Sequence, residues 1–152
     1  RLLRTRKAGH TGALDPLATG MLPCCLGEAT KIAGILLGSR KAYRARVRLG
    51  EATSTDDAEG PVVERVPVPD FDDAALAAAL VPFRGTILQR PPMYAAIKRD
   101  GQPLYRLARQ GIQLDLPPRE VVVESLVARR VDADTLELDV VCGAGTYIRS
   151  LG

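Results

Sequence analysis

No tryptophan occurs in this sequence, and there are only two phenylalanines, one histidine and three cysteines. Each scarcity closes a class of function. A lone histidine, with no C-x-x-C pair, leaves no ligand spacing suited to zinc. Cys24 and Cys25 are adjacent and Cys142 is distant, an odd set that makes no disulfide framework and fits a reducing cytosol. No apolar run approaches the roughly 20 residues that a membrane-crossing helix needs. The basic start of the sequence has no apolar stretch behind it of the kind a secretory signal carries. The P-loop motif, the GxGxxG dinucleotide fingerprint and the GxSxG of serine hydrolases are also missing. No cofactor is therefore expected, and protein side chains must supply the chemistry.

What remains has the composition of one globular α+β domain over residues 1–152, with 46% hydrophobic and 26% charged residues. A chain of this length buries roughly 70% of the surface its unfolded form exposes. The net charge of +3 hides an uneven distribution. Residues 1–50 carry ten Lys or Arg against Asp15 and Glu28, and residues 51–81 carry eight acids against Arg65. A basic first third suits a polyanionic partner such as RNA, and equally a solvated face. The sequence opens inside a basic segment without an initiator Met and stops at Tyr147-Ile148-Arg149-Ser150-Leu151-Gly152, which suggests a fragment.

Periodicity predicts the elements. Residues 28–37 read as a short helix with Ile32, Ile35 and Leu36 on one face, ended by Gly38. Residues 41–49 alternate as a strand, with Tyr43, Ala45, Val47 and Leu49 on a packed face and Arg44, Arg46 and Arg48 on a cationic one. Residues 51–60 form a polar loop and 61–69 an extended, proline-limited stretch. A helix over 72–81 is capped by Asp and stopped near Pro82. Residues 84–118 read as an irregular insertion in which Arg90, Lys98, Arg99, Arg106 and Arg109 are interleaved with Tyr94 and Tyr105, a composition that grips nucleic acid or simply decorates a surface. Residues 120–130 and 136–142 pair as a hairpin. Gly143-Ala144-Gly145 then turns into Thr146-Tyr147-Ile148-Arg149, and the sheet is expected to be mainly antiparallel.

The string KAGHTGALDPLATG, residues 7–20, holds Asp15 as the only acid among the first 27 residues. Asp before Pro is an ordinary turn former; an isolated carboxylate in a basic loop also suits a nucleophile or a general base, both of which need it ionised. Arg149, set between Ile148 and Leu151, is a candidate partner, though spacing does not bring the two together. Tyr43 is either core or a surface on which a base stacks, and His10 is either a loop hydrogen-bonder or a wedge. Cys24 and Cys25 follow Pro23 with no basic neighbour and read as small packing residues.

Read in order, KAGHTGALDPLATG, Tyr43, RPPMYAAIKRDGQPLYRLARQG and GAGTYIRSLG closely resemble the TruB family of tRNA pseudouridine synthases, over nearly the whole sequence. Ala13 departs from the family, which usually has Thr there. The resemblance implies the pseudouridine synthase fold, a mainly antiparallel or mixed sheet flanked by helices, with 84–118 as an inserted mobile thumb. It implies isomerisation of the uridine at position 55 in the tRNA T-loop, by flipping the base out of the loop. Asp15 would be the essential aspartate, Arg149 its cation, Tyr43 the stacking partner of the uracil and His10 the occupant of the vacated space. Lys7, Thr11, Arg44, Arg90, Lys98, Arg106 and Arg109 would contact RNA. A T-stem-loop partner, a monomer with no obligatory protein partner, no cofactor or metal and a cytoplasmic location follow from the same resemblance. Whether Asp15 adds to C6 of the base, attacks C1′ or removes a ribose proton stays open. So do a subunit that depends on guide RNA and a non-catalytic tRNA-binding module.

Overall fold

The computed structural model describes residues 5–152 apart from 96, 100, 111 and 113, and not the side chains of 98, 99, 103, 105, 107 and 109. The chain forms two compact units, Arg1–Arg40 and Lys41–Gly152. In the first, strands β1 (Ala8–His10) and β2 (Cys24–Leu26) pair antiparallel with His10 opposite Cys24, followed by a 3-10 turn at Gly27–Lys31 and a helix α1 at Ala33–Leu37. The single helix expected over 28–37 is thus split at Ile32. Gly34, the β-branched Thr30, Ile32 and Ile35, and the lack of a capping side chain all weaken it. Its supposed packed face is open, Ile35 being 76% exposed. Cys25 is buried as expected, whereas Cys24 is exposed, a correction to its reading as a packing residue that follows from the alternation of side chains along β2.

The second unit is built on four antiparallel strands in the order β3-β10-β9-β6, where β3 is Lys41–Arg48, β6 Gly85–Gln89, β9 Arg119–Arg130 and β10 Thr135–Cys142. A hairpin of β4 (Glu51–Thr53) and β5 (Val62–Arg65) follows β3, and helix α2 (Asp73–Ala79) precedes a 3-10 turn at Val81–Phe83. A small pair, β7 (Lys98–Arg99) and β8 (Gln102–Pro103), leads into α3 (Leu104–Arg109). Asp72 caps α2 by accepting from the Ala75 N–H at 2.7 Å, as its position before the alanine run predicts. Residues 85–89, which sequence reading placed in the irregular insertion, are the edge strand of the main sheet, started by Gly85 at φ 78°. Among the described residues no helix is long and apolar enough to cross a membrane.

Strand β10 lies between β3 and β9 and gives each face a distinct job. One face carries Leu136, Leu138, Val140 and Cys142, which pack with Val123, Leu126 and Leu151; Tyr43, Val47 and Ile87 border this core. The pairing of β10 with β9 shifts register between Val141 and Cys142, so that Val141 opposes Ser125 and Cys142 opposes Val123. This bulge leaves Glu124 as the extra residue. It lets β9 bury Val121 and Val123 on one side of the irregularity and Leu126 on the other, a phase change that strict alternation forbids. Burial pushes the Cys142 thiol above its usual range, so it behaves as a core residue.

The opposite face carries the arginines of β3, and the register places acids against them. Arg44 lies across from Asp139 and forks onto it at 2.8 and 3.2 Å; Arg48 reaches Asp134 at 2.7 Å. Glu137, only 6% exposed, sits between Arg46 of β3 and Arg129 of β9 and accepts from both. The cationic face expected from β3 alone is therefore compensated by β10. The Arg129 hydrogen bond, assisted by Arg46 and Arg44, holds the Glu137 carboxyl below the usual carboxylate range, and Arg44 does the same for Asp139.

A group whose native pKa is depressed contributes stability that is full above its unfolded pKa and lost as pH falls through its native one. Glu137→Gln is therefore expected to lower the urea midpoint near neutral pH, and its deficit relative to wild type should shrink as the medium is acidified below the carboxylate range. A deficit independent of pH would show that the charge contributes nothing.

Candidate active site

The loop of the first unit joins β1 to β2 and is closed at its root by Thr11 N–H donating to the Pro23 carbonyl at 3.2 Å. Thr11 is buried. Asp15 opens a β-turn in this loop, with Pro16 at the second position and the Ala18 N–H donating to the Asp15 carbonyl at 2.8 Å. The turn former and the exposed carboxylate are thus the same residue. His10 is exposed at the end of β1, and its Nδ1 donates to the Gly12 carbonyl. Lys7 is exposed just before β1, its carbonyl accepting the Gly27 N–H at 2.8 Å.

In the second unit Arg149 stands on a 3-10 turn, Ile148–Leu151. With three residues per turn, Ile148 and Leu151 eclipse one another and both face the core. That accounts for an arginine between two apolar residues: it is turned away from them. Its side chain is nonetheless only 11% exposed. The guanidinium donates to the Thr55 carbonyl at 3.1 Å and the Tyr94 carbonyl at 3.0 Å, and Nη1 lies 3.5 Å from Asp57 Oδ2. The other oxygen of Asp57 accepts from the Thr55 hydroxyl at 2.6 Å and the Glu59 N–H at 3.0 Å, and the Thr53 hydroxyl donates to the Asp57 carbonyl at 2.6 Å. Asp56, at φ 58°, occupies the left-handed region that makes this turn possible. A Cβ at Gly60 would fall 2.4 Å from the Thr55 hydroxyl oxygen, so the loop closes only around glycine.

The remaining candidates are dispersed. Tyr43 is half-buried on the core face of β3, opposite Val140. Arg44 is engaged with Asp139. Arg90 pairs with Asp115 at 2.6 Å in full solvent, where such a pair contributes little. Arg106 is exposed on α3, while the side chains of Lys98 and Arg109 lie outside the described residues. Among the described residues no cluster of His, Cys, Asp or Glu could hold a metal ion.

Residues 1–148 match the model of the TruB family pseudouridylate synthase N-terminal domain. The chain belongs to this family. It is 56% identical over 151 residues to the tRNA pseudouridine synthase B of Xanthomonas axonopodis pv. citri, covering 99% of this chain and 49% of the relative. To that of Xylella fastidiosa it is 56% identical over 152 residues, covering 50% of the relative. The chain thus spans about half the length of the curated relatives it matches. Among solved structures it resembles a chain of the Cbf5-Nop10-Gar1 complex, with a TM-score of 0.67 and 29% identity over 99% of this chain and 35% of the other. A second is the H/ACA RNP bound to a substrate RNA containing 2'-deoxyuridine, with a TM-score of 0.62 and 25% identity, covering 99% of this chain and 33% of that one. The fold is that of the pseudouridine synthases, α+β with antiparallel sheets, as the motif resemblance implied.

Within this family fold, sequence reading missed Asp57, which it filed with a polar loop. The signal was the alternation Thr53, Thr55, Asp57, in which the Thr55 hydroxyl donates to the Asp57 carboxylate two residues on and the Thr53 hydroxyl to the Asp57 backbone carbonyl four residues on. Removing Asp57 takes a hydrogen-bonded carboxylate from beside a buried cation. Asp57→Ala is expected to cost about 1–3 kcal/mol in urea unfolding. Asp57→Asn should cost less, because its side-chain oxygen still accepts from Thr55 and Glu59. Equal losses for the two variants would mean that the packing, not the polar contacts, matters.

Proposed function

We propose that the chain is the catalytic portion of a cytoplasmic tRNA pseudouridine synthase that isomerises a T-loop uridine, probing a T-stem-loop as a monomer without an obligatory protein partner. The observation that carries this reading is the family match running through the whole Asp15 loop, together with 56% identity to relatives named tRNA pseudouridine synthase B. The reaction breaks the C1′–N1 bond, turns the base and forms a C1′–C5 bond; the C5 proton leaves and N1 gains one. Nothing in this balance requires an oxidant or a second substrate.

Asp15 is the group we assign to the reacting nucleoside, acting from an exposed turn at the head of a loop whose root is tied by Thr11 and Pro23. A carboxylate serves here either by trapping or stabilising a sugar with oxocarbenium character, or by removing a proton. Arg149 is its assigned cation. A guanidinium keeps its charge at any working pH and favours the ionised form of a nearby carboxylate. The uracil must leave its stack to be reached, at a cost of a few kcal/mol, and stacking on an aromatic ring such as Tyr43 returns about 1–3 kcal/mol. Lys7, His10, Thr11, Arg44, Arg90, Lys98, Arg106 and Arg109 are the proposed RNA contacts, and the stretch after β6 the proposed thumb. Within this set Arg44 must exchange Asp139 for phosphate, which makes it the weakest member.

In the full-length protein Asp15→Asn should abolish tritium release from C5-labelled tRNA, with a rate loss of at least about 10²–10⁴-fold, while tRNA affinity changes little. Retained turnover would remove Asp15 from the chemistry. Absence of wild-type activity on free tRNA, restored only by a guide RNA and protein partners, would favour the guide-dependent reading.

A further inference from the structure

Gln89, the last residue of β6, is a polar side chain only 6% exposed. Both ends of its amide are spent on one residue: Nε2 donates to the Tyr147 carbonyl at 2.9 Å, and the Tyr147 N–H donates to Oε1 at 2.8 Å. Tyr147 is extended, with φ −99° and ψ 113°. In that conformation the N–H and C=O of one residue point to the same side, as they do in a hydrogen-bonded antiparallel pair. The Gln89 amide therefore stands in for one residue of a neighbouring strand, continuing β6 by a single pseudo-residue.

The residue so held is the one that begins the 3-10 turn carrying Arg149. The connection into that turn from β10 runs through Gly143-Ala144-Gly145, with Gly145 at φ 84°; Gly143 N–H donates to the Val122 carbonyl at 2.8 Å and the Thr146 hydroxyl to the Gly143 carbonyl at 3.0 Å, so its start is tied to the sheet and the turn after Gly145 is left to be aimed. The chain just after Gln89 supplies two further ties, since the Ser150 hydroxyl donates to the Arg90 carbonyl at 3.3 Å and Arg149 to the Tyr94 carbonyl at 3.0 Å. Of the three, the Gln89 clamp is the one that engages both the N–H and the carbonyl of Tyr147, the residue ahead of the turn.

We infer that Gln89 is a positioning residue for uridine isomerisation: by clamping both polar groups of Tyr147 it sets the direction from which Arg149 presents its charge. This rests on the reading of Arg149 given above. Leucine at this position fills similar space and supports neither hydrogen bond. An ionised glutamate can accept from the Tyr147 N–H but repels the Tyr147 carbonyl, whereas a protonated one offers the same donor and acceptor pair as the amide.

The test uses the full-length protein and C5-tritiated tRNA under single-turnover conditions with enzyme in excess. Gln89→Leu is expected to slow the step by about 10²-fold, the scale of a small misplacement of a reacting group, with tRNA affinity within a few-fold of wild type. Gln89→Glu should be equally slow in alkaline buffer and approach the wild-type rate as pH is lowered, a rescue that a purely space-filling role would not produce. Wild-type rates in both variants, or a Gln89→Glu profile parallel to that of wild type, would overturn the inference. If Gln89→Leu does not fold, the pH profile of Gln89→Glu decides alone. Hydrogen exchange at the Tyr147 amide separates the two levels. Faster exchange in Gln89→Leu with no tritium release by wild type overturns the functional reading, and this role with it. Unchanged exchange overturns the clamp itself.

Discussion

A single buried guanidinium sets the terms for the larger unit. Taking the Arg149 cation out of water costs several kcal/mol unless polar groups replace its hydration. The replacements come from places far apart in the sequence: the loop between β4 and β5 gives the Thr55 carbonyl and the Asp57 carboxylate, and the stretch after β6 gives the Tyr94 carbonyl. Each must be rigid for the exchange to succeed. Asp57 is accordingly fixed by two hydroxyls and a backbone N–H, and the turn beneath Arg149 by Ile148 and Leu151 in the core. The hydrophobic core thus acts on the site indirectly, by orienting a turn whose polar members face elsewhere.

The same division of labour explains the two faces of β10. Leu136, Leu138 and Val140 alternate with Glu137 and Asp139, so one strand supplies the apolar centre and also neutralises the arginines of β3 and β9. Exposed pairs of this kind contribute little individually, but Glu137 is nearly covered by three arginines, and its charge is kept by them. The consequence for the proposed RNA contacts is a constraint. Arg44 and Arg46 are already satisfied by the sheet, so their net field is much weaker than the spacing of β3 alone suggests.

Local pattern made part of this legible. β3 and the β9–β10 hairpin follow from period-two alternation, α2 from an alanine run behind a capping Asp, and the Asp15 motif from its rarity in a basic loop. Four features were hidden for identifiable reasons. The β9 bulge shifts the phase of burial by one residue, and a run such as VVVES contains apolar residues enough for either phase. β6 is five residues long and sits between a 3-10 turn and Arg90-Pro91-Pro92, so its neighbours mark it as loop. Asp57 and Gln89 act through contacts with residues about 90 and 60 positions away, and no window along the chain contains both partners. Arg149 shows the intermediate case: its oddity between Ile148 and Leu151 was visible, but the three-residue period that resolves it belongs to a 3-10 turn.

Asp15 bears on how such motifs should be weighed. The ordinary reading of Asp-Pro as a turn and the chemical reading of an isolated carboxylate look like rivals, yet the turn that the structure shows is compatible with the proposed chemical role. The backbone carbonyl of Asp15 closes the turn with Ala18, and this leaves the side chain outward on a tightened segment. A turn is a suitable mount for a reacting group, because its backbone hydrogen bond holds the Cα while the side chain stays clear of the core. On the proposed reading, the ordinary function of the residue type is a precondition of the special one. The same holds at Gln89, where a glutamine's common ability to mimic a peptide group is spent on the backbone beside a buried cation.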